Sequence, residues 1–599
     1  MIKSEIKGKN PTLYLNGEPV SAMAYTTYFT ERSRHEDFYN LGYRIFFVNM
    51  SFTSSPINSV YTGFTPFRTG VYENPENPDF SEFEGAVRDI LDHCPDAVIF
   101  PRIYVSMPKW WCAAHPDEVV NTNKGGLREA LFSDVYRRDG AKLLKDAVNH
   151  IKRSDYRDRI GGWQLTGGQT QEWFHHDNSG SIGKAAERQY PIWVKGTYGQ
   201  DGAVVPAKED FIYTGTPYQT SEEAKRYSIF SNVEVARTIE YFAKTIKEET
   251  EHSQVVGTFY GYTFECGNMV TYGSHGLRAI IDSPSIDFLS SPNAYTDGRP
   301  FGIDWSDMIP VDSLKLHGKL AFIECDIRTY LTTSIQEARP GEYPDDIYKT
   351  STGKSVWAGP PTRELSVSAI RKSFAHQLAR RSAIWWFDMW GGWYNDPMIM
   401  SELEKMKRLC DSNLKKHTTR DSINAEVVFF ADESAYSNMT SRSPELAGIA
   451  KTRKAMGNTG APYDTIMVED AERVLKKYKA AVFPFPMPSD TGKRAMELCQ
   501  AYGIPFLTAT AEHSELTREE INEFLKLSGV HLYIDDGSVI YVGDGYVALH
   551  SNESGRRTVA LPRPMKLRAI CGAQNAEFSE KEVSFDLSEC DTAIFEVIG

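Results

Sequence analysis

The sequence predicts an α/β protein: an N-terminal (β/α)8 TIM barrel, followed by a Rossmann-like α/β domain and a small C-terminal β-sandwich. Three observations carry that prediction. Strand-like apolar runs alternate with amphipathic stretches across the first 400 residues; a polar, aperiodic stretch at 411–424 precedes a new apolar strand; and the last 70 residues carry short alternating runs separated by turn residues. A chain of 599 residues also exceeds the roughly 250 to 300 at which single cores stop growing, so several domains are expected.

Taken in order, TLYLNGEPV alternates and breaks at Asn16-Gly17, a type I′ hairpin signal, and leads into SAMAYTTYF as the first barrel strand. A hairpin covering the barrel floor fits this start. Strands two to eight fall at 43–50, 96–105, 160–167, 254–262, 286–295, 319–327 and 383–390. Helix-like segments separate them, among them FEGAVRDILDHC, GAKLLKDAVNHIKRS, EVARTIEYFAKTIKEETEH and ELSVSAIRKSFAHQLARR. Eight strands in sequence make a closed barrel the economical arrangement. The expected domains are 1–413, 421–530 and 531–599.

In the second domain AEVVFFADES, AAVFPFPMP and IPFLTAT read as strands, and DAERVLKKY, TGKRAMELCQAYG and TREEINEFLKLSG as helices. No GxGxxG turn follows the first strand, so nucleotide binding lacks support. HLYID, SVIYVG, YVALHS, RRTVALP, KLRAI, EVSFDL and AIFEVIG read as the sandwich strands.

Net charge is −14, which argues against a protein whose affinity comes from neutralising phosphates, so no nucleic-acid partner is expected. The start MIKSEIKGKNPTLYLNG has no apolar core or small-residue cleavage site, and no apolar stretch approaches membrane-spanning length. A cytoplasmic protein without a membrane partner is the expectation. The eight cysteines are dispersed with no CxxC pair, which reads as free thiols. His175-His176-Asp177 would be the place for a metal, but adjacent residues seldom point at one ion and no HExxH spacing is present, so neither metal nor cofactor is expected.

A barrel places its working groups where strands end. KLAFIECDIRTY puts Glu324 at the end of the seventh strand, followed by Cys325, Asp326 and Arg328. The bland alternative is a rim salt bridge between Glu324 and Arg328; the functional one is a buried carboxylate that Arg328 keeps ionised. IGGWQLTGGQTQEWFHHD ends a strand at Thr166, turns at Gly167-Gly168, and reaches Glu172 beside Trp173, Phe174, His175 and His176. Apolar neighbours raise a carboxyl pKa by desolvation, as a general acid requires; an exposed loop glutamate is the alternative. Two carboxylates flanking one bond are what glycoside cleavage needs, one to protonate the leaving oxygen and one to attack the anomeric carbon. Strands four and seven lie on facing arcs of the barrel, so the pair can converge.

Aromatic residues make up 12% of the chain, and flat amphipathic rings stack on sugars, although they also fill cores. PRIYVSMPKWWCAAHPDE brings Arg102 and Trp111 to the open face, and WWFDMWGGWY brings Asp388, Trp390 and Trp393. Tyr295, ending strand six, is placed to hydrogen-bond the nucleophile.

These residues resemble those of the clan of (β/α)8 retaining glycosidases. Within it the chain is similar to glycoside hydrolase family 42 β-galactosidases and the related families 164 and 165. The resemblance rests on LNG near the start, Pro-x-Trp-Trp-x3-His-Pro-Asp-Glu at 108–118, the Gly-Trp-Gln strand from Gly162, IECDIRT at 323–329 and WWFDMW. It implies Glu172 as acid/base and Glu324 as nucleophile, with Tyr295 and Trp390 as neighbours; His175, from its place beside Glu172 rather than from the resemblance, is expected in contact with substrate hydroxyls or in polar packing. One departure stands out: the clan has Asn-Glu at the end of strand four, where this chain has Gly167-Gly168, leaving Gln169 or Gln171 to take the asparagine's part. Glu265, after strand five, is the reserve acid. The resemblance further implies an exo-acting retaining β-glycosidase without a cofactor, β-galactosidase first and β-mannosidase or another β-hexosidase second, assembled as a homotrimer through the Rossmann-like domain. A carboxyl separation of about 5 to 5.5 Å accompanies that mechanism. An inactive carbohydrate-binding barrel and a metal-dependent hydrolase or lyase are the readings from other classes.

Overall fold

The computed structural model describes residues 1–56, 64–122, 124–219, 221–344, 358–414 and 424–598. Eight parallel strands form a closed barrel: β1 (Met23–Thr26), β2 (Ile45–Ser51), β3 (Val98–Tyr104), β4 (Gly162–Thr166), β5 (Val255–Phe259), β6 (Phe288–Ser290), β7 (Leu320–Cys325) and β8 (Ala383–Phe387). Each pairs with its neighbour in sequence, and β8 closes on β1 through Trp385 opposite Ala24. All eight expected strands are in place. β6 is shorter than its apolar run because that run meets Pro292, which has no N–H for a ladder.

Side chains alternate between the two faces of a strand, so residues two apart point the same way. Phe47, Phe100, Phe288 and Phe322 form an aromatic layer inside the barrel, with Phe47 5.2 Å from Phe100 and 5.3 Å from Phe322, and Phe288 5.7 Å from Phe322. The glycines of β4 and β5 make room for it: a Cβ at Gly162 would lie 2.4 Å from the Phe100 ring, and one at Gly257 2.2 Å from that of Phe288. Two residues further along the same strands come Asn49, Arg102, Gln164, Phe259, Ser290 and Glu324. The layer towards the open end is therefore mostly polar, resting on a dry aromatic one.

The N-terminal segment does cover the floor. Its three short strands, Ser4–Lys7, Thr12–Leu15 and Glu18–Pro19, form an antiparallel sheet, with φ of 50° at Asn16 and 88° at Gly17 as a type I′ turn requires. Ser4 Oγ accepts from the Val255 N–H at 2.9 Å, tying the sheet to the start of β5. Outside the barrel run long helices, including Asp134–Arg153, Glu222–Glu249 and Arg363–Arg380. The side chains of Ser133, Ser221 and Thr362 cap their first turns, satisfying N–H groups a helix cannot pair itself.

The next segment holds a four-stranded parallel sheet of β9 (Val427–Ala431), β10 (Tyr463–Met467), β11 (Ala480–Phe483) and β12 (Phe506–Thr508), in the order β10-β9-β11-β12. This is a doubly wound order. β10 and the helix Pro444–Gly457 went unread in the sequence, since YDTIM mixes Asp and Thr among few apolar residues. Most of the polar stretch taken as a domain boundary, 415–423, lies outside the described residues.

Seven strands follow: β13 (Val539–Gly543), β14 (Tyr546–His550), β15 (Gly555–Ala560), β16 (Leu567–Cys571), β17 (Gln574–Phe578), β18 (Glu582–Leu587) and β19 (Thr592–Val597). They make one sheet ordered β13-β14-β19-β16 and another ordered β15-β18-β17. Val547, Leu549 and Phe595 of the first share a core with Val559, Val583 and Phe585 of the second, which makes a sandwich. HLYID is not one of its strands. Tyr533 instead donates its N–H to Gly460 and accepts from Ala560 N–H, joining the sandwich to the parallel-sheet segment. The cysteines are free, and among the described residues no helix is long and apolar enough to cross a membrane.

Candidate active site

Glu324 ends β7 facing inward, two residues beyond Phe322, and is only 4% exposed. Its N–H bonds to Ser291 O at 3.0 Å, fixing the strand end against the segment after β6. Burial raises its carboxyl well above the usual range, and the neighbouring Asp326 and Glu172 raise it further, opposed by Arg102 and then Arg328. The sequence expectation that Arg328 keeps Glu324 ionised is thus corrected. Arg328 donates to the carbonyl of Asp326 at 2.6 Å and lies 4.9 Å over the Trp393 ring, so Arg102 is the cation that counts more.

Arg102, 1% exposed, projects from β3 into the barrel, 5.1 Å over the Trp385 ring and 5.2 Å over that of Phe259. A guanidinium is tolerated there because aromatic faces and nearby carboxylates compensate its charge.

Glu172 sits on the loop after β4. Thr170, Gln171 and Trp173 all adopt positive φ, at 56°, 77° and 63°, a conformation that costs roughly 1 kcal/mol or more per residue and tends to collect at functional sites. Gly168 has φ 65°, and a Cβ there would meet Phe174 O at 2.5 Å. The Trp173 indole packs over Gly167, leaving no room for a side chain, and donates to Thr258 Oγ1 at 3.1 Å. Tyr262, just past β5, donates to Glu172 Oε1 at 3.3 Å. Burial pushes the Glu172 carboxyl up to about 8, against hydrogen bonding from Thr170 and the charge of Arg102.

The structure thus gathers Arg102, Glu172, Glu324, Gln171 and Trp390 around one spot. Tyr28, which the sequence reading missed, marks its centre: it donates to Gln171 Oε1 at 3.3 Å, lies 5.7 Å from the Trp390 ring, and is held protonated by burial, with Glu172 and Glu324 adding to the effect. Buried atoms with no protein partner face this region: Arg102 Nε and Nη1, Gln171 Nε2, Asn49 Oδ1, Gln164 Oε1, Glu172 Oε2 and Glu324 Oε2. Buried polar groups are normally paired, so a mixed set of donors and acceptors awaiting partners marks a polar binding site. No group of His, Cys, Asp and Glu suited to a metal occurs among the described residues.

Several expected contacts lie elsewhere. Trp111 is core, donating to Asp139 at 3.1 Å. His175 is fully buried and bonded to Ser181 at 3.0 Å. Tyr295 donates to Asp326 at 3.2 Å rather than to Glu324. Asp388 accepts from Tyr25 OH and the N–H groups of Gly392 and Trp393 at 2.8 to 3.0 Å, bracing the turn after β8; Trp393, 1% exposed, packs beside it. Gln169 is a loop residue whose N–H bonds Phe174 O at 2.9 Å. Glu265, the reserve acid, is ion-paired with Arg453 and accepts from Thr296 Oγ1 at 2.8 Å, so it is engaged in structure.

No family model matches the sequence, and no curated protein matches it. Solved structures do match in shape. The β-galactosidase of Rahnella sp. R3 superposes with a TM-score of 0.62 at 10% identity, covering 100% of both chains. That of Halorubrum lacusprofundi gives 0.61 at 13%, covering 96% of this chain and 98% of its own. The GH42 β-galactosidase Gan42B gives 0.58 at 10%, covering 100% of both. The chain has the fold of these enzymes. At such identities the likeness extends over the whole architecture, barrel, parallel-sheet segment and sandwich together, and leaves the chemistry to be argued from the site.

Proposed function

We propose that the chain is a retaining, exo-acting β-glycoside hydrolase, with Glu324 as nucleophile and Glu172 as acid/base. The observation that carries this is that two buried carboxyls, Glu324 at the end of β7 and Glu172 on the loop after β4, lie near enough for the charge of Glu172 to act on Glu324, beside Arg102 and Tyr28. Glu172, pushed up to about 8, holds a proton at neutral pH for the leaving oxygen. Glu324 must be ionised to attack; Arg102 favours that form, and sugar hydroxyls donating to it would favour it further. Attack gives a covalent glycosyl-enzyme and an alcohol protonated by Glu172. Glu172 then takes a proton from water, which displaces Glu324 with a second inversion.

The unpartnered donors and acceptors are mixed in kind, which suits a neutral polyhydroxylated ring. With β-galactosidases among the structures that share the fold, a β-galactoside is the first substrate to try, and a β-mannoside or another β-hexoside the second. The segment 421–530 resembles the trimerisation domain of family 42 enzymes, and on that ground the assembly is read as a homotrimer, which light scattering at micromolar concentration tests. For the chemistry, a panel of nitrophenyl glycosides identifies the sugar and NMR follows the first anomer released. A β-anomer from a β-glycoside is expected; an α-anomer overturns retention, and no turnover with any β-hexoside overturns the enzyme reading.

A further inference from the structure

Glu172 depends on a loop whose backbone is strained on both sides of it, so whatever holds that loop sets the direction of the carboxyl. Two hydroxyl groups grip it. Thr258 Oγ1 donates its only proton to Leu165 O at 3.1 Å and therefore turns a lone pair to the Trp173 indole N–H at 3.1 Å. Tyr104, the last residue of β3, does the reverse. Arg128 Nη2 donates onto the Tyr104 oxygen at 3.0 Å, so the phenolic proton points away from Arg128 and into the carbonyl of Gly168 at 2.8 Å.

Arg128 is itself fixed. It lies in the two-stranded ribbon Val119–Asn121 and Leu127–Glu129, 3% exposed, hydrogen-bonded to Ser106 and ion-paired with Glu129. Glu129 in turn bonds His176 Nε2 at 3.2 Å, four residues past Glu172. The ribbon thus holds the loop from both ends. Gly168 must be a glycine for the tyrosine to reach its carbonyl across this turn, since φ is 65° and a Cβ would strike Phe174 O at 2.5 Å.

We propose that Tyr104, its hydroxyl oriented by Arg128, is a positioning residue for Glu172, acting through the Gly168 carbonyl. It touches no substrate. It keeps the loop in the one arrangement that aims Glu172 at the leaving oxygen, so its loss costs proton delivery and spares attack by Glu324. The inference rests on the reading of Glu172 as acid/base.

The test is the dependence of turnover on leaving-group acidity in Tyr104→Phe, with Thr258→Val as a second variant at the other grip and Tyr72→Phe as a control. The control removes a hydroxyl bonded to Leu143 O and Asp146, neither of which belongs to the loop. Dinitrophenyl glycosides leave without a proton and methyl or sugar glycosides do not. Tyr104→Phe is expected to keep the first rate within about threefold and to lose about 10- to 100-fold on the second, as misplacement of a catalytic group does, with Thr258→Val following the same pattern. Tyr72→Phe should lower the melting temperature without changing the ratio. An unchanged ratio in Tyr104→Phe, or equal loss on both substrates, overturns the proposal. Glu172→Ala separates the two levels: if its own loss does not depend on the leaving group, the acid/base reading falls and the proposal with it; if it does and Tyr104→Phe does not, only the proposal falls.

Discussion

Arg102 and Glu324 stand at the same height in the barrel, each two residues beyond a phenylalanine of the aromatic layer beneath, Phe100 and Phe322. The cation opposes the upward shift that burial, Asp326 and Glu172 impose on the Glu324 carboxyl. Replacing it by an apolar side chain of similar length therefore has a defined sign. In Arg102→Met the Glu324 pKa rises further, so the acidic limb of kcat/KM moves to higher pH. Activity at pH 7 falls on the order of 100-fold, as for other losses of a buried charge-stabilising group. A pH–rate profile checks both.

The two carboxyls are told apart by what a small anion repairs. Glu324→Ala is expected to lose nearly all activity, and azide to restore turnover by attacking the opposite face of the anomeric carbon, giving an α-glycosyl azide. Glu172→Ala should still form the glycosyl-enzyme from dinitrophenyl glycosides, and azide should then give the β-product. NMR of the two products decides, and the same anomer from both refutes the assignment.

Gly162 has no space for a methyl group beside the Phe100 ring. Gly162→Ala should lower stability by about 1 to 3 kcal/mol, the usual cost of overpacking a core. Adding Phe100→Leu should return part of it, because the two changes share one cavity. Denaturant unfolding of the single and double variants measures the coupling, and simple additivity would contradict it.

Glu433, buried between the barrel and the parallel-sheet segment, accepts from Thr263 Oγ1 at 2.8 Å and Leu277 N–H at 2.9 Å. Burial pushes its carboxyl up from 4.5 to about 8. Between those values the folded state binds the proton that the unfolded state has lost. Stability from this group therefore declines as pH rises through that window and is fully present only below it, a change on the order of 5 kcal/mol. Glu433→Gln, which mimics the neutral acid, should flatten the decline. Melting temperatures of both proteins from pH 5 to 8 test it, and parallel curves would remove Glu433 as the cause.

The barrel was legible because parallel strands buried on both faces read as apolar runs and eight came in order. Glu324 was legible for the same reason: a charge ending such a run stands out. Glu172 was harder to single out, and the expectation rested on aromatic neighbours and a Gly-Gly turn. Asn49 and Gln164 were within reach of period-two counting from Phe47 and Gly162, since Gln164 follows Gly162 at the step by which Arg102 follows Phe100. Tyr28 and Tyr262 lie beyond strand ends, where no periodicity fixes direction. Trp111 and His175 misled because an aromatic or imidazole beside an active loop looks the same in sequence whether it faces the substrate or the core. Tyr295 has its hydroxyl one carboxylate away from the expected one, a difference only the fold decides.

The ion pair between Glu265 and Arg453 has a consequence in time as well as in space. The loop after β5 is made early, while its partner lies far downstream, as do Glu433, which receives Thr263 and Leu277, and Tyr436, which bonds Thr263 O at 2.6 Å. At ordinary rates of translation, the residues that steady this side of the mouth emerge roughly 10 to 40 s after the loop they grip. A nascent barrel with all eight strands threaded thus still has one wall of its mouth unfinished. Its assembly waits on the C-terminal third of the protein, which contains neither of the two proposed reacting carboxyls.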